Sequence, residues 1–259
     1  MNIHVTDEHL KNELFNSELI RIPFGSHVYG LNNQHSDEDY ICIYAESDIE
    51  RDSFLWEHHN YQIKENDTDY IFTTLNNFIR NLINGDMPGN LESIYDVSLK
   101  ESPLAFLYDN REEFLSYSNI RSFLGYAKRD LKHSLRDDSR LCHAYRSVLS
   151  ARKILDKSYD PYCKNWNEYD ILKNMKEGNL SLEEKRHYCN SMKVNIDDMR
   201  SLINTMLENN QIIRFMKVEE MKKLDDWLLT VKGLSWYTDK AMVTNNHHKY
   251  QALELGIKY

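Results

Sequence analysis

Residues 21–44, RIPFGSHVYGLNNQHSDEDYICIY, constrain the chain more than any other stretch. One apolar run ends at Gly25-Ser26, and a second begins at Asp37 and Asp39, with ten residues between Ser26 and Asp37. The pattern predicts strand, turn with a short helix, and strand, the last apolar on both faces as a central strand is. A Gly-Ser turn brings backbone amides and a hydroxyl close to a ligand, an arrangement suited to phosphate oxygens. Asp37 and Asp39 lie two apart at a strand start and point to the same face. These residues alone leave two readings open. Ser36 and Asp37 build a turn or N-cap and Asp39 is a solvated strand start, or a cation sits between carboxylates that would otherwise repel. Magnesium suits the second reading, because it takes oxygen ligands and bridges carboxylates to phosphates.

The remaining chain follows in two styles. A short helix is expected from Thr6, whose side chain caps the amides ahead of Leu10 and Leu14. ELIRIPF reads as a strand, and weaker alternation over 54–74 predicts one or two more. From Leu75 the period becomes helical, with Leu75, Phe78, Ile79, Leu82 and Ile83 on one face and a stop at Asn84-Gly85. PLAFLYDNREEFL, IRSFLGYAKRDLKHSLR and SRLCHAYRSVLSARKIL each carry helical periodicity. Ser181 with Glu184 forms a capping box that opens a long helix through Met192, Ile196, Met199, Ile203 and Met206. MKKLDDWLLTVK makes a last helix, and the final dozen residues, with His247 and His248, are expected to be poorly ordered. The fold class is therefore α+β: a small mixed sheet over 1–100, followed by a mostly α-helical half over 101–259 packed against it.

Charge divides the same way. Residues 1–100 hold 18 acidic and 6 basic side chains, whereas 121–157 hold 10 basic and 4 acidic, within a formal net charge of −9. Indiscriminate nucleic-acid binding does not fit that balance, but carboxylates holding divalent cations opposite a basic surface for polyphosphate do. Cys42, Cys142, Cys163 and Cys189 form no CxxC pair and read as reduced, packed thiols. With no signal-peptide pattern and no run of 18 apolar residues, a cytoplasmic protein without membrane association is expected.

GSHVYG followed by SDEDY resembles the signature of the DNA polymerase β-like nucleotidyltransferase superfamily. DYIFTTLNNFIRNLINGDMPGNLESIY, FLSYSNIRSFLGYAKRDL and HAYRSVLSARKIL are similar, in the same order, to segments of a bacterial and bacteriophage branch of predicted nucleotidyltransferases. The likeness covers roughly residues 20–157. It implies a polymerase β-like palm, with Asp37, Asp39 and Asp69 as catalytic metal ligands and Gly25 and Ser26 as the triphosphate-binding turn. Asp67, of the same strand parity, competes with Asp69. At 85–90, GDMPGN stands where the family has GNPN, which puts substrate contacts there in question while leaving the following helix intact.

The likeness further implies that His143 and Arg146 contact the triphosphate or departing pyrophosphate, with Lys128, His27 and Tyr29 as additional nucleotide contacts. Lys132 and Arg140 read as an ordinary solvated face. Tyr29 has a second reading as a core anchor of the short helix. The implied reaction transfers a nucleoside monophosphate from a nucleoside triphosphate to a hydroxyl, using two magnesium ions, with manganese as the alternative metal. RNA, including tRNA, is favoured as acceptor over protein or a small molecule. The rival is a silent nucleotide- or RNA-binding protein of the same fold.

Overall fold

In a computed structural model, residues 2–34, 36–47, 60–209 and 211–242 are described. The expectations for 54–59 and for the last dozen residues, His247 and His248 included, lie outside them. The elements begin with β1 (Asn2–His4), α1 (Glu8–Ser17), β2 (Glu18–Phe24), α2 (Ser26–Tyr29) and β3 (Glu38–Tyr44). β4 (Asn60–Glu65), β5 (Thr68–Thr74), α3 (Leu75–Asn84) and α4 (Pro88–Ser93) follow. The helical half comprises α5 (Ala105–Asp109), α6 (Tyr117–Leu131), α7 (Asp138–Leu155), α8 (Tyr169–Lys176), α9 (Leu182–Glu208) and α10 (Val218–Lys232). None of the described helices is long and apolar enough to cross a membrane.

The strands form one mixed sheet in the order β1-β4-β5-β3-β2. β3 and β5 run parallel at its centre, and β2 and β4 flank them antiparallel. Because strand side chains alternate, this register fixes two faces. One carries Cys42, Tyr44, Tyr61, Ile63 and Phe72 and is covered by Leu10 and Leu14 of α1. The other carries Ile22, Ile41 and Ile43 into a core that continues through Phe78, Phe123, Leu141, Met192 and Met199. Sheet and helices thus share one apolar interior.

Local chemistry decides the boundaries. The α1 cap is Asp7, which accepts from Leu10 N at 2.8 Å, so the expected Thr6 cap is corrected by one residue. α3 begins on a Thr74 cap and ends where Gly85 turns left-handed, as expected. PLAFLYDNREEFL does not make one helix: Asn110 donates to Phe106 O at 2.8 Å, and a 3₁₀ turn replaces the continuation. α6 stops at Leu131, short of the expected 136, with Ser134 Oγ donating to Leu131 O. The Ser181–Glu184 capping box opens α9, and α4 follows the GDMPGN turn with Pro88 in its first turn. β1 and α8 were not anticipated, being three residues and two turns long.

One buried network joins the two halves. Glu92 on α4, 1% exposed, accepts from Arg146 of α7 and from the Tyr29 hydroxyl of α2, and the guanidinium lies 3.8 Å above the Tyr29 ring. Burial by itself would lower the Arg146 pKa, but the Glu92 carboxylate outweighs it and holds the guanidinium above its ordinary value. Removing one partner strands a buried charge. Glu92→Ala should therefore cost about 3–5 kcal/mol in urea unfolding, whereas Glu92→Met with Arg146→Leu should cost distinctly less.

Candidate active site

The register places a row of side chains across one edge of the helix-covered face. Phe24 pairs with Asp39, Asp39 with Asp69, and Asp69 with Lys64, so all four share a face. The next row inward is Ile22, Ile41, Ile71 and Gln62. Asp39 and Asp69 are therefore abreast on adjacent parallel strands. Asp69 Oδ2 accepts from Gln62 Nε2 at 2.6 Å, while its Oδ1 is buried without a hydrogen-bond partner. Asp37, just before β3, pairs with Lys64, both partners being substantially exposed. Asp67 is exposed in the β4–β5 turn, outside the strand, so Asp69 is the residue in register with Asp39.

Burial, then Asp69, then Asp37 raise the Asp39 carboxyl to about 6, with His27 and Lys64 partly opposing. A carboxylate crowded by two others and deprived of water lacks a countercharge. Gly25 lies directly against it. Its φ of 78° and ψ of −160° favour glycine, and a Cβ there would sit 2.2 Å from Asp39 Oδ2. Ser26 starts α2 next to this contact, and its hydroxyl makes no hydrogen bond among the described residues. The bland reading of the loop holds in part, since Ser36 Oγ accepts from Asn33 N at 2.9 Å and builds a turn that leaves Asp37 out.

An oxygen-seeking divalent cation fits this donor set: two carboxylates abreast, a third on the same side, and one carboxylate oxygen left orphaned. Among the described residues, no three His, Cys, Asp or Glu side chains already close as a metal-binding group. The reason is local, because Asp37 is drawn to Lys64. Such an exposed ion pair is worth only about 0–1 kcal/mol and is readily exchanged.

Beside the row lies a cavity of about 460 Å³. Phe24, Ile41 and Ile71 form its sheet side, Met87, Pro88 and Gly89 its loop side, and Tyr126, Arg129, Arg140, His143 and Arg146 its helical side. Its cations are already matched. Arg129 Nε and Arg140 Nη1 meet the buried Asp130 Oδ1 at 2.9 and 3.0 Å, and Arg146 belongs to Glu92. His143 is lowered to about 4 by burial, then by Arg146 and Lys176, and is a neutral imidazole at pH 7.

The sequence-derived residues therefore divide. Asp37, Asp39, Asp69, Gly25 and Ser26 come together at the strand ends, with exposed His27 beside them, its Nε2 3.2 Å from Ser36 O. His143 and Arg146 line the cavity, the former without charge and the latter inside an ion pair. Tyr29 is buried with its hydroxyl on Glu92, which corrects the nucleotide contact to the core-anchor reading. Lys128 is exposed and outside the cavity lining; one residue further around α6, Arg129 faces inward instead. Arg140, read as solvated, lines the cavity, and Lys132 is exposed as expected. Asp130 and Glu92 were missed. Each is an acid near basic helix positions, the one signal that pairing rather than a free cationic surface was coming.

A raised carboxyl favours folding less as pH climbs. Asp39 holds its proton more tightly in the folded chain than in the unfolded one, so its burden is absent below about pH 4 and complete above about pH 6. Asp39→Asn should therefore raise stability by on the order of 1–2 kcal/mol at pH 7.5, allowing for solvent screening, and by almost nothing at pH 4. Paired thermal melts at the two pH values measure this difference. In comparisons with known proteins, no family model and no curated sequence matches this chain.

Proposed function

We propose that the chain is a metal-dependent nucleotidyltransferase of the cytoplasm with a polymerase β-like palm. On this reading it moves a nucleoside monophosphate from a nucleoside triphosphate to an acceptor hydroxyl. The observation that carries the reading is the Asp39–Asp69 pair abreast on β3 and β5, with Gly25 against Asp39 and Asp69 Oδ1 unpartnered. Asp37, Asp39 and Asp69 would hold magnesium or manganese. When bound, the metal lowers the cost of charge on the attacking and leaving oxygens.

The protein's own part is orientation and proton handling. Amides and the Ser26 hydroxyl at the start of α2 bind phosphate oxygens, and the left-handed Gly25 lets that backbone sit against Asp39. The acceptor oxygen forms a bond to the α-phosphorus while the bond to the β-phosphate bridging oxygen breaks, and pyrophosphate leaves. Asp69, with an unpartnered oxygen, takes the acceptor proton. The cavity offers an apolar sheet side and charge-matched helical groups, so it suits an uncharged part of a substrate better than polyphosphate. RNA is the favoured acceptor class.

The silent-binder reading draws on the Asp37–Lys64 pair, which occupies one carboxylate. Incubation with each α-labelled triphosphate, magnesium and total cellular RNA or protein separates the two. Label should pass to a macromolecule with equimolar pyrophosphate, and Asp37→Asn/Asp39→Asn should lower the rate at least a thousandfold, about 4 kcal/mol of barrier. Triphosphate binding without pyrophosphate release from any acceptor supports the silent binder. Transfer retained in the double variant rejects the assigned residues.

A further inference from the structure

A second, smaller pocket of about 140 Å³ lies on the far side of α2 from Gly25, between the loop Gly30–Asn33 and α8. Three lysines line it: Lys164 from the 3₁₀ turn before α8, and Lys173 and Lys176 from α8. None of the three meets a carboxylate among the described residues. In the larger cavity, by contrast, each arginine faces an acid.

The pocket is built rather than accidental. Gly30 has φ +74°, and a Cβ there would fall 2.3 Å from Lys164 Cε and 2.6 Å from Cγ, so the lysine stem crosses a space only glycine leaves open. Tyr169 Oη donates to Gly30 O at 3.0 Å and ties that loop to α8. Lys176 Nζ is held by Ser139 Oγ at 3.0 Å, and Ser139 also lines the larger cavity. The one acid in the lining, Glu177, accepts from Asn179 at 3.0 Å. Lysine ammoniums are compact point charges that suit a phosphate group approached from several sides, where bidentate pairing is not required.

We infer that the pocket formed by Lys164, Lys173 and Lys176 is a phosphate-binding site, distinct from the carboxylate row and one hydrogen bond away from the cavity beside it. Its phosphate comes either from a polyphosphate or from the backbone of a nucleic-acid strand that continues past Ser139. The inference does not require that transfer occur, because its readout is binding.

The test measures affinity of the full chain for two probes, inorganic tripolyphosphate by calorimetry and a fluorescent single-stranded RNA by anisotropy over a salt series. Wild type is compared with Lys164→Ala/Lys173→Ala and with the charge reversal Lys173→Glu, all being exposed positions, with melting temperature as the folding control. At least one probe should bind about tenfold more weakly to the double variant. If the strand is the ligand, the slope of log K against log salt should become shallower by about 2. If only tripolyphosphate loses affinity, the polyphosphate is the source. Unchanged affinity for both probes in both variants, or no binding of either probe to wild type, overturns the assignment.

Discussion

The contact on which the arrangement depends is the buried ion pair between Glu92 and Arg146. Through Tyr29 it fixes α2, the short helix that carries the Gly25-Ser26 turn, and through α4 and α7 it fixes how the helices close over the sheet. A buried pair of this kind adds little net stability compared with an apolar substitute, yet it tolerates few alternative geometries. Its value lies in placement. The turn, the sheet edge and the cavity wall are held in one frame by three side chains from three elements. Arg146 Nε remains without a partner inside that frame, so the network is itself incompletely satisfied where it borders the cavity.

The two sides of the cleft differ in how charge is settled. On the helical side every cation has found an acid, and His143 is neutral. At the strand ends, three carboxylates gather with only Lys64 and His27 nearby, Asp39 is pushed up toward neutrality, and one Asp69 oxygen is orphaned. Folding alone gives no reason to bring these carboxylates together. Polar groups left unsatisfied by a fold are most economically explained as held ready for a ligand, and this crowd calls for a cation. The same contrast separates the lysine pocket behind α2, where the mismatch has the opposite sign.

Much of the frame was legible because it rests on local rules. ELIRIPF, DYICIY and the 75–84 helix declare themselves by period and by Gly25 and Gly85, and Ser181 with Glu184 marks the start of α9. The same-face placement of Asp37 and Asp39 needs only strand parity. What periodicity cannot express is partnership across the chain. Nothing within α7 says that Arg146 will meet Glu92, 54 residues earlier, or that Arg140 will turn inward to Asp130. For that reason the basic segment read as an open phosphate surface, whereas its arginines are internally neutralised and the free lysines lie on α8, a helix too short to stand out.

The central claim is that the Asp39–Asp69 row is a divalent-cation site completed by nucleotide. Electron paramagnetic resonance of manganese tests it directly, since the free-ion signal disappears on binding. The account predicts that wild-type protein removes free manganese, more tightly when a non-hydrolysable triphosphate is added, and that Asp39→Asn does so at least tenfold more weakly. Equal free-manganese signals for wild type, Asp39→Asn and buffer alone would contradict it.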